Sequence, residues 1–144
     1  MKGTLIILTT LLIFAIVGLS ACTSQVPSTT LENTTWVLES YGKQGNLQAV
    51  LEGNKISAVF KMDEGTVNGS AGCNNYFASY ELNGNQLSIS DVGATRMFCG
   101  EPEGLMEQED QYITLLQGAK TFQIKDNQLW IFSIDDQVLV FNAQ

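Results

Sequence analysis

No histidine occurs anywhere in the 144 residues, which removes the side chain that most often serves as a general base near neutral pH. Triads of the Ser-His-Asp kind and the commonest zinc sites go with it. Positive charge is scarce too: seven Lys and Arg stand against fifteen Asp and Glu, a formal net charge of −8. A surface of that sign repels phosphate backbones and anionic headgroups, so no nucleic-acid partner is expected. Arg96 is the only arginine. The sequence has no Asp-x-Asp-x-Asp-Gly loop of the kind that cradles calcium, and no metal or cofactor is expected. The one long apolar run, Leu5 to Val17, has 13 residues, short of the roughly 20 that a spanning helix needs.

That run is better read as an address. Lys2 precedes it, only Thr9 and Thr10 interrupt it, and Gly18-Leu19-Ser20-Ala21-Cys22 follows, the layout of a cleaved signal peptide over residues 1–21. Leu19-Ser20-Ala21-Cys22 resembles the lipobox of bacterial lipoproteins, whose cysteine takes a diacylglycerol before cleavage; the bland alternative is an ordinary signal with a chance cysteine. Two or more acyl chains, at about 0.8 kcal/mol per buried CH₂, anchor stably, so Cys22 is expected to hold the chain to a membrane without spanning it. Losing Lys2 with the signal moves the formal charge from −8 to −9. With no polybasic patch to assist, attachment falls to the lipid. Residues 22–30 comprise the lipidated cysteine and a flexible polar tether, Thr23 to Thr30, which carries Pro27 and reaches about 16 Å on a root-mean-square basis. Localisation in the cell envelope follows. Thr23 stands where Asp would favour inner-membrane retention, which points to an outer membrane, facing the periplasm, if the cell has two.

Residues 31–144 fit one domain with one core, expected to be monomeric. The two remaining cysteines, Cys73 and Cys99, sit in a compartment where disulfides persist. Pairing them would stabilise by about 3 kcal/mol in the chain-entropy model; two buried free thiols are the alternative. Short runs rich in β-branched and aromatic residues predict strands over 34–41, 55–62, 66–70, 76–82, 86–90, 121–125, 128–134 and 138–142. Asn83-Gly84 predicts a hairpin with a type I′ turn. One segment, 103–117, breaks the pattern. Leu105, Tyr112 and Leu116, with Met106, Ile113 and Leu115 beside them, recur at helical spacing. Pro102 suits its start, acidic residues its first turns and Gly118 its end. Glu109 falls on or beside the stripe and so on or beside the buried face.

The acidic cluster Glu101, Glu103, Glu107, Glu109 and Asp110 could in principle supply an acid–base pair. Carboxylates at a helix N-terminus are ordinarily solvated dipole partners, and the chain is not expected to be an enzyme. Gly69-Ser70-Ala71-Gly72-Cys73-Asn74-Asn75-Tyr76 is dense in residues that tolerate turn conformations. It reads either as a tight connection stapled by cysteine or as a rigid loop presented to a partner.

Taken together, Gly72-Cys73-Asn74 with Tyr76 and Tyr80, Thr95-Arg96-Met97 with Cys99, and Leu105-Met106-Glu107-Gln108-Glu109 leading to Tyr112 and Leu116 resemble the META domain family, which includes HslJ-like bacterial lipoproteins. Trp36 and the closing stretch from Trp130 to Phe141 match as well. The resemblance implies an α+β fold: a strongly curved antiparallel β-sheet, or partly open β-barrel, packed around a single helix. It brings no catalytic mechanism. It implies non-covalent binding of an envelope protein or peptide in envelope stress response, antibiotic tolerance or secretion; the rival is a carrier of a small apolar ligand inside the barrel. Asn74, Arg96 and Glu109 carry over as motif positions whose role is structural or functional. A buried Glu109 without a partner would cost several kcal/mol, so pairing with the planar fork of Arg96 is expected, the alternative being that both face water.

Overall fold

The computed structural model describes residues 29–144; the signal peptide 1–21, Cys22 and the tether as far as residue 28 lie outside the described residues. Nine strands and one long helix follow in the order β1 (Thr35–Lys43), β2 (Asn46–Ala49), β3 (Ser57–Lys61), β4 (Thr66–Ser70), β5 (Asn75–Asn83), β6 (Gln86–Ala94), α1 (Leu105–Gln117), β7 (Thr121–Lys125), β8 (Gln128–Phe132) and β9 (Gln137–Ala143), with a single helical turn at Ile134–Asp136 before β9. Most strands arise where apolar residues alternate. In β8, Leu129 and Ile131 are buried while their neighbours are half-exposed.

The strands form one antiparallel sheet in the order β2-β1-β3-β4-β5-β6-β7-β8-β9, and a further pairing of β1 with β9 bends it into a ring. One edge of β1 is shared, Thr35 to Val37 pairing with β3 and Ser40 to Lys43 with β2. Its other edge runs along β9 from Trp36↔Ala143 to Lys43↔Gln137. The ring is thinnest between β6 and β7, which meet at Gln86↔Thr121. Between those two strands the chain makes α1, which lays Leu105, Tyr112, Leu115 and Leu116, with Gln108 and Glu109, against the sheet. This is the curved sheet around a helix that the family resemblance implied.

The centre is packed with side chains. Trp36, Phe60, Tyr112 and Phe141 are the bulkiest wholly buried residues. Tyr112 stacks edge-on with Tyr76 and with Phe141, at centroid distances of 5.5 and 6.4 Å. An apolar ligand would find that volume taken among the described residues, and the roomy concavity described below lies on the outside.

Three local differences from the sequence reading have simple causes. Strand β2 was not expected, because its alternation, Asn46-Leu47-Gln48-Ala49, spans only four residues, and only Leu47 is even half-buried. The hairpin at Asn83 is shifted: Asn83 pairs with Gln86, so the loop is Gly84-Asn85 and the positive φ of 62° falls on Gly84, the first central position, where a type II′ turn takes glycine. A type I′ turn joins β7 to β8 instead, where Asp126 and Asn127 have φ of 50° and 63°. The helix begins at Leu105, not residue 103, because Gly104 caps it in a left-handed conformation at φ 84°.

Candidate functional site

The turn from β4 to β5 passes through Gly72, whose φ of 125° is closed to most side chains. A Cβ there would also come within 2.8 Å of Asn54 Nδ2 and 3.1 Å of Leu105 Cδ1. This conformation aims two successive backbone amides the same way. The N–H groups of Cys73 and Asn74 donate to Glu109 Oε2 at 3.1 and 2.7 Å, and Asn74 Nδ2 donates to Glu109 Oε1 at 2.6 Å.

Asn74 is 2 % exposed and its carboxamide is fully used. Besides Glu109, Nδ2 donates to the carbonyl of Met97 at 3.0 Å. Its Oδ1 accepts from the Thr95 hydroxyl and from the N–H of Met97, both at 2.7 Å. The side chain thus grips the backbone of Met97 by both of its polar groups, as a neighbouring strand would. Thr95 N–H donates to the carbonyl of Asn75 at 3.0 Å, and a disulfide joins Cys73 to Cys99 with Cα atoms 5.9 Å apart. The segment after β6 is held at both ends, by hydrogen bonds at Thr95 and Met97 and covalently at Cys99.

The expected Arg96–Glu109 pair is absent. Glu109 is buried at 6 % exposure, as its place on the helical stripe required, but its charge is met by three N–H donors. Arg96 is exposed. Thr95 donates its hydroxyl to Asn74, and Arg96 stays exposed at the rim of a depression that Glu109 also lines, without reaching its carboxylate. Amides of a turn leave no trace in residue types, so the sequence offered a cation where the fold supplied backbone. Thr95, an anchor of the loop, was missed as an individual residue, although the motif Thr95-Arg96-Met97 contained it. Gly72-Cys73-Asn74 is a tight connection stapled by cysteine, and across the disulfide lies the loop Thr95 to Cys99.

That loop carries exposed apolar side chains. Met97 is 57 % and Phe98 84 % exposed. With Arg96 and with Met106, Asp110 and Ile113 of α1 they bound a shallow depression of about 330 Å³. Exposed Glu101, Glu103, Glu107 and Asp110 lie along the same stretch of chain. Beneath, the hydroxyls of Tyr76 and Tyr112 share a hydrogen bond of 2.7 Å. Burial pushes both phenols well above the ordinary tyrosine range. Among the described residues no three His, Cys, Asp or Glu side chains gather as a metal site would require.

A family model described as META domain matches residues 29–144. Among solved structures, an NMR structure of a protein from Burkholderia xenovorans is 28 % identical, covering 79 % of this chain and 83 % of that one at a TM-score of 0.65. A second NMR structure, 23 % identical, covers 79 % of this chain and 94 % of its own at 0.60. The crystal structure of a DUF4847 family protein from Bacteroides vulgatus shares the fold, with 17 % identity, 78 % and 93 % coverage and a TM-score of 0.54. No curated protein matches the chain.

Proposed function

The chain belongs to the META domain family, and from that premise we propose that it is a lipid-anchored binding domain of the cell envelope that recognises a protein or peptide non-covalently. The observation that carries the reading is the pair Met97 and Phe98, exposed on a loop that Asn74 and the Cys73–Cys99 disulfide hold in place. Large apolar side chains on a mobile loop would lose much of their binding energy to ordering; on a fixed loop that cost is already met. A phenylalanine supplies an anchor and a methionine an adaptable surface beside it.

The anchor rests on the apolar run and Leu19-Ser20-Ala21-Cys22, and Thr23 after it favours the outer membrane where a cell has two; the family resemblance supports a role in envelope stress response, antibiotic tolerance or secretion. Binding, not catalysis, is the activity. A photo-crosslinking residue placed at position 98 in cells should capture discrete partners, and Met97→Ser beside it should abolish them without changing the melting temperature. Identical products from the same probe at Leu82, on the β5–β6 hairpin, would overturn the site. Cys22→Ala should abolish acyl labelling and membrane retention; an acylated, membrane-bound mutant would overturn the anchor.

A further inference from the structure

We infer that the outer face of the β7–β8–β9 meander is a saccharide-binding groove, a second site that does not depend on the reading of the Met97–Phe98 loop. Two-residue alternation sends Leu129, Ile131, Leu139 and Phe141 into the ring and turns Trp130, Phe132, Val138 and Val140 outward. Outward residues on a ring of this kind ordinarily meet water, yet Val138 and Val140 are 0 % and 2 % exposed. Cross-strand neighbours cover them: Trp130 stands opposite Val140 and Phe132 opposite Val138. Across β1 the row continues from Val138 to Gly42 and on to Leu47 of β2. Gly42 contributes no side chain, so the row dips between Val138 and Leu47. A concavity of about 740 Å³ lies over this floor, within the range of about 300–1,000 Å³ typical of ligand sites.

Its chemistry selects the ligand. Trp130 presents a half-exposed indole, whose electron-rich face attracts the polarised C–H bonds on one side of a pyranose ring. Around it stand three carboxamides, Gln44, Gln123 and Gln128, with Gln123 directly across from Trp130. A carboxamide both donates and accepts, as does each sugar hydroxyl. Gln128 is already set: its Nε2 donates to Glu39 Oε2 at 3.0 Å and to Asn142 Oδ1 at 3.2 Å, leaving the carbonyl oxygen as its contribution to a ligand. Lys125 and Asp126 cancel in charge, and the acidic chain as a whole disfavours anions. A wholly apolar guest would strand the carboxamides without water. A peptide adding as a strand finds no free edge on the floor, because β8 is flanked by β7 and β9, and β9 by β8 and β1; the open edges, of β2 and of β7 beyond Thr121, lie at the rims, away from Trp130. A neutral sugar chain satisfies every part of the surface.

The test titrates the full mature chain in detergent with chitotriose and with cellotriose, using calorimetry. Tryptophan fluorescence adds a local report, because Trp36 is wholly buried with its indole N–H bonded to Leu31 and only Trp130 is available to a ligand. Saturable binding of either trisaccharide, weakened about tenfold or more by Trp130→Ala and about threefold by Gln123→Ala, is the expected result. Phe98→Ser should leave it unchanged. Should Trp130→Ala fail to fold, the double variant Gln123→Ala with Gln44→Ala, which touches side chains at the rim, should weaken binding by about tenfold. Absence of saturable binding of both sugars up to about 10 mM, or equal affinity in the folded variants, would overturn the assignment.

Discussion

The node formed by residues 71–76, Thr95 to Cys99 and Glu109 and the closing meander of β7, β8 and β9 hold their shapes by opposite means. In the node the buried groups are polar, and the Asn74 carboxamide and the Glu109 carboxylate between them make six hydrogen bonds, to each other and to Cys73, Asn74 N–H, Thr95 and Met97. In the meander Val138, Leu139, Val140 and Phe141 are buried in succession, apolar on both faces of the strand. Damage should differ accordingly. A methylene lost from the meander costs its own burial, whereas a group lost from the node strands every partner it served.

The largest expected effect tests that difference. Glu109→Ala would leave three N–H donors without their acceptor at a largely buried position and should lower stability by about 3–5 kcal/mol in urea denaturation. Ile131→Val in β8 should cost only about 0.5–1.5 kcal/mol. A Glu109 variant no worse than Ile131→Val would dissolve the contrast. Next comes the covalent part: Cys73→Ser with Cys99→Ser should cost about 3 kcal/mol, and amide exchange at Met97 should stay slower than at Gly100, since Asn74 still grips it. Uniformly fast exchange would assign the loop's order to the disulfide alone.

Tyr112 joins the regions, with its ring against Phe141 and its hydroxyl on Tyr76. Burial, the main cause, raises both phenols, and Tyr80 is pushed up to about 12 by burial and then by the charge of Glu32. A group whose folded pKa is raised contributes fully below its unfolded value and loses that contribution as pH climbs through the folded one. Stability should therefore hold below the ordinary tyrosine value of 10.0 and fall above it, with phenolate absorbance appearing together with unfolding. Tyr112→Phe should make the decline shallower and cost about 1 kcal/mol at neutral pH. Phenolate appearing before unfolding would contradict the buried pair. The smallest effect belongs to Arg96→Ala: its side chain is exposed and unpaired with Glu109, so stability should move by less than about 0.5 kcal/mol.

The two regions were also unequally legible. Runs of β-branched and aromatic residues between turn residues marked β7, β8 and β9, because apolar packing leaves a pattern in the sequence. The helix was legible for the same reason, down to Glu109 on its buried side. The node was visible only as a cluster of odd residues. Its cohesion comes from the amides of Cys73 and Asn74 and from the backbone of Met97, which every residue possesses, so Arg96 looked like the natural partner of Glu109 when it was not. Strand β2 escaped because four residues with no β-branched or aromatic side chain are too short a run to stand out, although Gln44-Gly45 was a turn signal that could have exposed it. The outer layer over Val138 and Val140 depends on which strands become neighbours, and sequence spacing carries no trace of that.

The seam between β1 and β9 has a consequence in time. Seven cross-strand pairs link the first long strand to the last, so a chain emerging N-terminus first from a ribosome or a membrane pore must hold β1 with one flank open until residues 137–143 arrive. Contacts so distant along the chain are slow to form. Early segments would stay extensible for as long as the chain is in transit, and completion would come as one late event, when the final strand slots in beside Trp36 and Tyr41.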